Sequence, residues 1–274
     1  MYTNFLFVAL KAVYDVHARN LEEDRRQDTP AAEASHAELT GLAQAFQGLS
    51  HGVVQMVSDY NLLQGPAEFD AEFDLVEAIA KASGKTLSLT WLQRDPGGEQ
   101  YLRIQERVEK AVANGLPLFM QTGARGIGVL NGLDASFHPF MGFPSYKEVA
   151  HLPLAERAAA LRDPARKARI LSEKSERLAG DGSSIPPLVD ILLAKIDMIS
   201  GRMFPLEATL NYEPSVMESF YVRAKQKGIS ALEALYDHLS AGEGDGLIYF
   251  PLFNYNEGNL DTVRKRSEEH TSEL

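Results

Sequence analysis

Cysteine is absent from all 274 residues. That excludes disulfides and thiolate metal sites, and it is compatible with a reducing cytoplasm, the location expected for this chain. Positive charge is in short supply: 27 Lys and Arg stand against 38 Asp and Glu, the net charge is −11, and no basic run occurs. An acidic chain without a basic patch is a poor ligand for nucleic acid or for an anionic membrane surface, so neither partner is expected. The apolar stretch at residues 5–10 is too short to span a bilayer and has no basic leader before it. No two of the seven histidines stand two or four residues apart, so a compact metal-ligand motif is missing and no metal-ligating residue is assigned. Low-complexity tracts are missing as well.

What is there is a rhythm. Residues 52–58 (GVVQMVS), 86–93 (TLSLTWLQ) and 116–121 (LPLFMQ) read as nearly continuous apolar strands. Between them lie helical stripes: Phe69, Phe73, Val76, Ile79 and Ala80, then Tyr101, Ile104, Val108 and Val112. An earlier helix is marked by Ser35 and Glu38 in a capping-box pattern, followed by Leu39, Leu42, Ala43 and Phe46. Strands spaced about 30 residues apart, each pair bridged by one helix, have the length of βα units with parallel crossovers. The fold class is therefore α/β, with a barrel and an open doubly wound sheet equally compatible with the pattern. Asp70, Glu72 and Asp74 read as a solvated first turn of their helix.

After residue 122 the texture changes. Residues 123–146 (GARGIGVLNGLDASFHPFMGFPSY) read as a long glycine-rich, aromatic loop, followed by a mostly helical excursion. Asp163 and Pro164 are an N-cap and N1 pair opening residues 163–178. Residues 246–253 (GLIYFPLF) form another buried strand, and residues 254–259 its exit loop. His36, His151 and His238 fall in helical stretches and are expected to be solvated, leaving His17 and His138 as the histidines of interest.

The candidate site residues are those that follow strands or carry unexplained polar groups. Asp59 follows the first strand, where barrel enzymes place chemistry. Trp91, the single tryptophan, shares a strand face with Leu89 and Gln93, and a core role and a site wall both fit it. Arg125 is a cation in a glycine-rich loop just beyond the strand that ends at Gln121; its guanidinium suits a bidentate grip on a carboxylate. His138 precedes Pro139 in the aromatic loop, and Asn254 and Tyr255 follow the last apolar strand. Gly123, Gly126 and Gly128 do not make the dinucleotide pattern and open no evident helix, so a phosphate-binding α/β oxidoreductase is the weaker alternative.

Several of these strings together resemble one family. GARGIGVLNGLDASFHPFMGFPSY, HLPLAERAAALRDP, NYEPS and LIYFPLFNYNEGNLDTVR, with TPAAEASHAELTGLAQAF and GVVQMVSDY upstream, are similar to the D-aminoacylase branch of the amidohydrolase superfamily, the N-acyl-D-amino-acid deacylases. The resemblance implies a (β/α)8 barrel, here incomplete, over residues 1–264, with a helical excursion after the third strand. It also implies a zinc or other divalent ion that activates water against the C–N bond of an N-acylated amino acid or related amide, with an Asp as general base. The chain departs from the family pattern at its chemistry. Met56 stands near the place of one metal-binding His, and Thr90, Trp91, Leu92 and Gln93 replace a Ser-His-x-Lys strand motif. The Asp-Gly-Gly-Ala-His segment expected after DTVR gives way to RSEEHTSEL, which resembles a translated sequencing adapter, so residues 265–274 are expected to be a non-native or disordered tail. The reading is a hydrolase fragment, itself inactive, in which Arg125 and Gln121 hold the substrate. The rival is a non-hydrolytic barrel protein that binds a small carboxylate.

Overall fold

The computed structural model describes residues 34–56, 66–94, 99–123, 125–179, 190, 193–206, 209, 211–255 and 258–264, with the side chains of 66–68 left aside. His17, Asp59 and residues 265–274 lie outside the described residues. The chain divides into two compact units, residues 1–124 and 125–274. It is a mixed α/β protein with two small sheets.

The first unit follows the rhythm of its sequence. Helix α1 (His36–Gln44) starts at Ser35, whose hydroxyl accepts the Glu38 N–H at 3.2 Å. Strand β1 (Val53–Met56), helix α2 (Pro66–Ser83), strand β2 (Thr86–Thr90), helix α3 (Gln100–Ala113) and strand β3 (Leu118–Gln121) then alternate. The strands pair in the order β1-β2-β3, both pairs parallel. Period-two alternation sends Val54, Met56, Leu87, Leu89 and Leu118 into one core with Phe69, Phe73, Val76 and Ile79 of α2 and Ile104 and Val108 of α3. Leu42 and Val112, counted with the helical stripes from their spacing, are exposed instead. The buried stripes run i, i+4, i+7, as Leu39, Ala43, Phe46 and as Ile104, Val108, Ala111, and one residue to the side of such a narrow stripe turns outward.

Asp70 and Asp74 are partly exposed, as expected, but they lie past the first turn and are paired. The helix begins at Pro66, and both carboxylates reach α3: Arg103 bonds Asp70 at 2.7 Å, while Arg107 bonds Asp70, Asp74 and Glu77 at 3.0, 2.8 and 3.1 Å. The two guanidiniums also lie over the Phe69 and Phe73 rings, 4.4 and 4.7 Å from their centroids. Glu72, on the other side of the helix, is buried.

The second unit is built around an antiparallel sheet. Its elements are β4 (Ile127–Asn131), α4 (Pro144–Lys147), α5 (Leu154–Leu161), α6 (Pro164–Ser172), α7 (Ile196–Ile199), β5 (Phe204–Pro205), α8 (Phe220–Lys227), α9 (Ala231–Ser240) and β6 (Ile248–Phe253). The central strand β6 is flanked by β4 and β5, antiparallel to both. The stretch expected to be one long loop thus contains a strand, β4, because its glycines alternate with Ile127 and Val129 and pair across to β6. Pro251 tolerates a central strand because it sits beside the register shift at Ile127 and Gly128, past the reach of the two-residue β5.

The helices pack onto this sheet through Leu161, Ile170, Phe220, Leu235 and Leu239, joined by Phe140 and Phe143 from the turn before α4. Asp163 caps α6 as its sequence predicts, accepting the Arg166 N–H at 2.8 Å. The helix stops at Ser172, well short of residue 178, because Glu173 runs extended and its carboxylate accepts the Ser145 N–H at 3.0 Å and the Ser145 hydroxyl. His238 is not solvated: its Nε2 lies 2.8 Å from the Leu247 carbonyl, and its ring stands edge-on to Phe220. No described helix is long and apolar enough to cross a membrane.

Candidate functional site

Trp91, Gln93 and Gln121 belong to the first unit. Trp91 continues the alternation of Leu87 and Leu89 and is buried in their core, and its indole N–H donates to the Tyr101 carbonyl at 2.7 Å. The backbone N–H of Trp91 extends the ladder to the Gln121 carbonyl at 2.9 Å. Gln93 is buried just beyond. The Gln121 side chain lies on the opposite face of the sheet, where its Oε1 is 3.4 Å from both Gln55 Nε2 and Ser88 Oγ. These three residues therefore do not point to one place.

Arg125 and Asn254 do come together, in the second unit, while Tyr255 makes its contacts elsewhere in that unit. The chain leaves β6 through Asn254, which is fully buried and takes the left-handed conformation (φ 58°) that Asn adopts more readily than most residues. From there its side-chain amide donates to the Arg125 carbonyl at 3.3 Å. The loop before β4 is anchored by its backbone while the Arg125 side chain is exposed, with no hydrogen bond or ion pair to the described residues. Tyr255 is tied at its hydroxyl, which donates to the Pro214 carbonyl at 2.6 Å, and burial pushes it up to about 12.

Two residues that the sequence did not single out complete this region. Arg202 donates to the Tyr255 carbonyl at 3.0 Å and lies 5.7 Å from the Tyr255 ring centroid. Burial holds its pKa below the usual guanidinium value, with Tyr255 and Tyr249 acting the other way. Tyr249, the second residue of β6, is 7% exposed and its hydroxyl has no hydrogen-bond partner among the described residues. Burial raises the Tyr249 pKa and the nearby Tyr212 adds to this, while the positive charges of Arg125 and Arg202 pull it back down. Tyr249 also forms part of the wall of a cavity of about 170 Å³, with Phe204, Asn211, Pro214, Glu218 and Arg223 among its other residues. Pattern alone could not find this site: Tyr249 reads as one more apolar strand residue, and an unpaired hydroxyl is a property of the fold.

The glycines before and within β4 have a local explanation. A Cβ at Gly128 would lie 2.7 Å from both the Phe250 carbonyl and the Tyr249 ring, and one at Gly126 would lie 3.2 Å from the Tyr249 hydroxyl. They let Tyr249 close against β4. A strand, not a helix N-terminus, follows them, so the geometry that captures phosphate is not formed there.

His138 sits apart from this region, 2% exposed. Its Nδ1 accepts the Phe140 N–H at 3.2 Å, which places the proton on Nε2, 2.8 Å from the Tyr146 hydroxyl. The same hydroxyl is 3.3 Å from Arg157. Burial, reinforced by the Arg157 charge, pushes His138 down to about 3. It is a neutral residue of the interior with both ring nitrogens engaged.

Among the described residues no group of three or more His, Asp or Glu side chains could hold a metal ion. Met56 and Trp91, at positions where the resemblance implies ligands, are buried on the helix-covered face of the first sheet. The donor set of the described residues does not fit the implied zinc, and no metal-assisted step is assigned to them. No family model, no curated protein and no solved structure matches the chain.

Proposed function

We propose that this chain belongs to an amidohydrolase-like protein on an α/β barrel that acts on the C–N bond of an N-acylated amino acid or related amide. In this reading the zinc or other divalent ion and the catalytic base come from residues outside the described set. The described residues hold the substrate's carboxylate. The observation that carries the proposal is the meeting of Arg125 and Asn254: a guanidinium exposed to solvent on a backbone that Asn254 holds just after β6. An arginine held in this way suits the planar, two-oxygen geometry of a carboxylate. The parallel βαβαβ order of the first unit agrees with a barrel segment.

A second reading, a barrel protein that binds a small carboxylate without hydrolysing it, is favoured by Trp91, which fills a core where the resemblance implies a metal ligand. Calorimetric titration with N-acetylalanine and with its uncharged methyl amide tests the shared core of both. Arg125→Ala is expected to weaken N-acetylalanine at least tenfold and to leave the methyl amide unchanged. Equal affinity of wild type and variant for N-acetylalanine would remove Arg125 from this role. Release of free alanine by the whole protein to which this chain is proposed to belong separates the hydrolytic reading from the binding one.

A further inference from the structure

We propose that a groove in the second unit, walled on one side by the extended stretch after α6, binds a small anionic amphiphile: Lys174 meets its carboxylate and the apolar lining meets its chain. The groove holds about 410 Å³, within the roughly 300–1,000 Å³ of ligand pockets. Pro139, Phe143, Leu193, Ile196 and Leu232 give it an apolar lining. They come from the turn before α4, from residues 193–196 and from α9. The wall after α6 is fixed in place. The Glu176 N–H donates to the Gly142 carbonyl at 2.8 Å, and the two strands of chain run so close that a Cβ at Gly142 would lie 2.5 Å from the Glu176 carbonyl. Asp190 accepts the N–H groups of Leu178 and Ala179 at 2.9 and 3.0 Å. An apolar hollow between walls held in this way offers burial without the cost of ordering the protein around the ligand.

The charges of the lining decide the head group. Glu176 pairs with Lys147, and Asp190 uses its oxygens on the two backbone N–H groups, with Arg177 4.0 Å away. Lys174, in the same lining, is exposed and has no hydrogen bond or ion pair to the described residues. The charge left uncommitted here is therefore positive. The chain as a whole carries −11, so an anion meets no general attraction and its hold is local. A lysine ammonium is a point charge, which meets a carboxylate without the planar geometry that arginine imposes. One such cation beside an apolar groove fits a monocarboxylate with a hydrocarbon chain, such as a fatty acid of medium length. Arg125 takes no part in this lining, so the inference is independent of the reading above.

Calorimetric titration of the full chain with octanoate and with octanol tests this. Wild type is expected to bind octanoate saturably. Lys174→Ala is expected to weaken octanoate about threefold, the scale of one exposed charge contact, and to leave octanol unchanged. Leu232→Ala is expected to weaken both ligands about fivefold by thinning the apolar wall. Each variant is titrated well below its own melting transition, so that a loss of stability is not read as a loss of binding. No saturable octanoate binding by wild type would overturn the inference, and so would equal octanoate affinity in wild type and Lys174→Ala. Octanol weakened by Lys174→Ala as much as octanoate would overturn it too, since the charge would then have no part. An effect of Lys174→Ala without one of Leu232→Ala would overturn it by placing the ligand on the lysine alone, outside the groove. Wild type that ignores octanoate but dimerises, with Leu232→Ala abolishing the dimer, would overturn it in favour of a second copy of this chain.

Discussion

At the scale of single residues, the second unit holds two buried polar side chains of opposite character. His138 has both ring nitrogens engaged; the Tyr249 hydroxyl has no partner among the described residues. The first is a stability device with a sign. The folded ring binds a proton only near pH 3, whereas an unfolded histidine does so near 6.5. Between those values the unfolded state binds the extra proton, so the contribution of His138 is complete above about pH 6.5 and is lost as pH falls toward 3. The expected loss between pH 7.5 and pH 5 is about 2 kcal/mol from this residue. Urea unfolding of wild type and His138→Gln at both pH values checks it. The variant should lack about that much of the acid sensitivity, and identical pH dependence in the two proteins would show that His138 takes up its proton as readily in the fold as in the unfolded chain.

At the scale of elements, glycine has opposite meanings in two places. Gly41 lies inside α1, where an added Cβ would meet nothing within 4 Å. Gly128 lies in β4, where it would strike the Phe250 carbonyl and the Tyr249 ring at 2.7 Å. Gly41→Ala is therefore expected to stabilise the first unit by about 0.5–1 kcal/mol through helix propensity. Gly128→Ala should destabilise the second by about 1–3 kcal/mol through overpacking against backbone. Thermal melts of the two variants read both effects, and a Gly128→Ala protein that melts with wild type would mean that β4 and β6 separate easily. Sequence spacing placed α1 to α3 and β1 to β3 well, because each buries one stripe on its nearest neighbours in the chain. It missed β4, because that strand is recognised only by its distant partner β6, more than a hundred residues on.

At the scale of the molecule, each unit has its own core, drawn from residues 39–118 in the first and from 133–255 in the second. The first sheet buries one face under its helices. The other carries Val53, Gln55, Thr86, Ser88, Thr90, Phe119 and Gln121, none of them fully buried, and Phe119 is 62% exposed. Parallel sheets are ordinarily covered on both faces, and an exposed aromatic on a flat strand invites association. Phe119→Lys is expected to lower concentration-dependent light scattering of the chain without lowering its melting temperature. Scattering unchanged by the substitution would place any self-association elsewhere.

The sequence by itself determined the α/β class, the first unit's alternation of strands and helices, the Asp163 cap and the interest of Arg125, Asn254 and Tyr255. Those features are local or periodic: a cap, a stripe, or a polar residue just after an apolar run. Only the tertiary structure decided that His138 and Trp91 are interior residues with their polar atoms engaged, that the glycines before and within β4 make room for a tyrosine, and that Asn254 grips the backbone of Arg125. Each of these depends on contacts between segments far apart in the chain. The Tyr249 hydroxyl is the limiting case, since a missing hydrogen bond has no signature in sequence and exists only once the surrounding chain has excluded water.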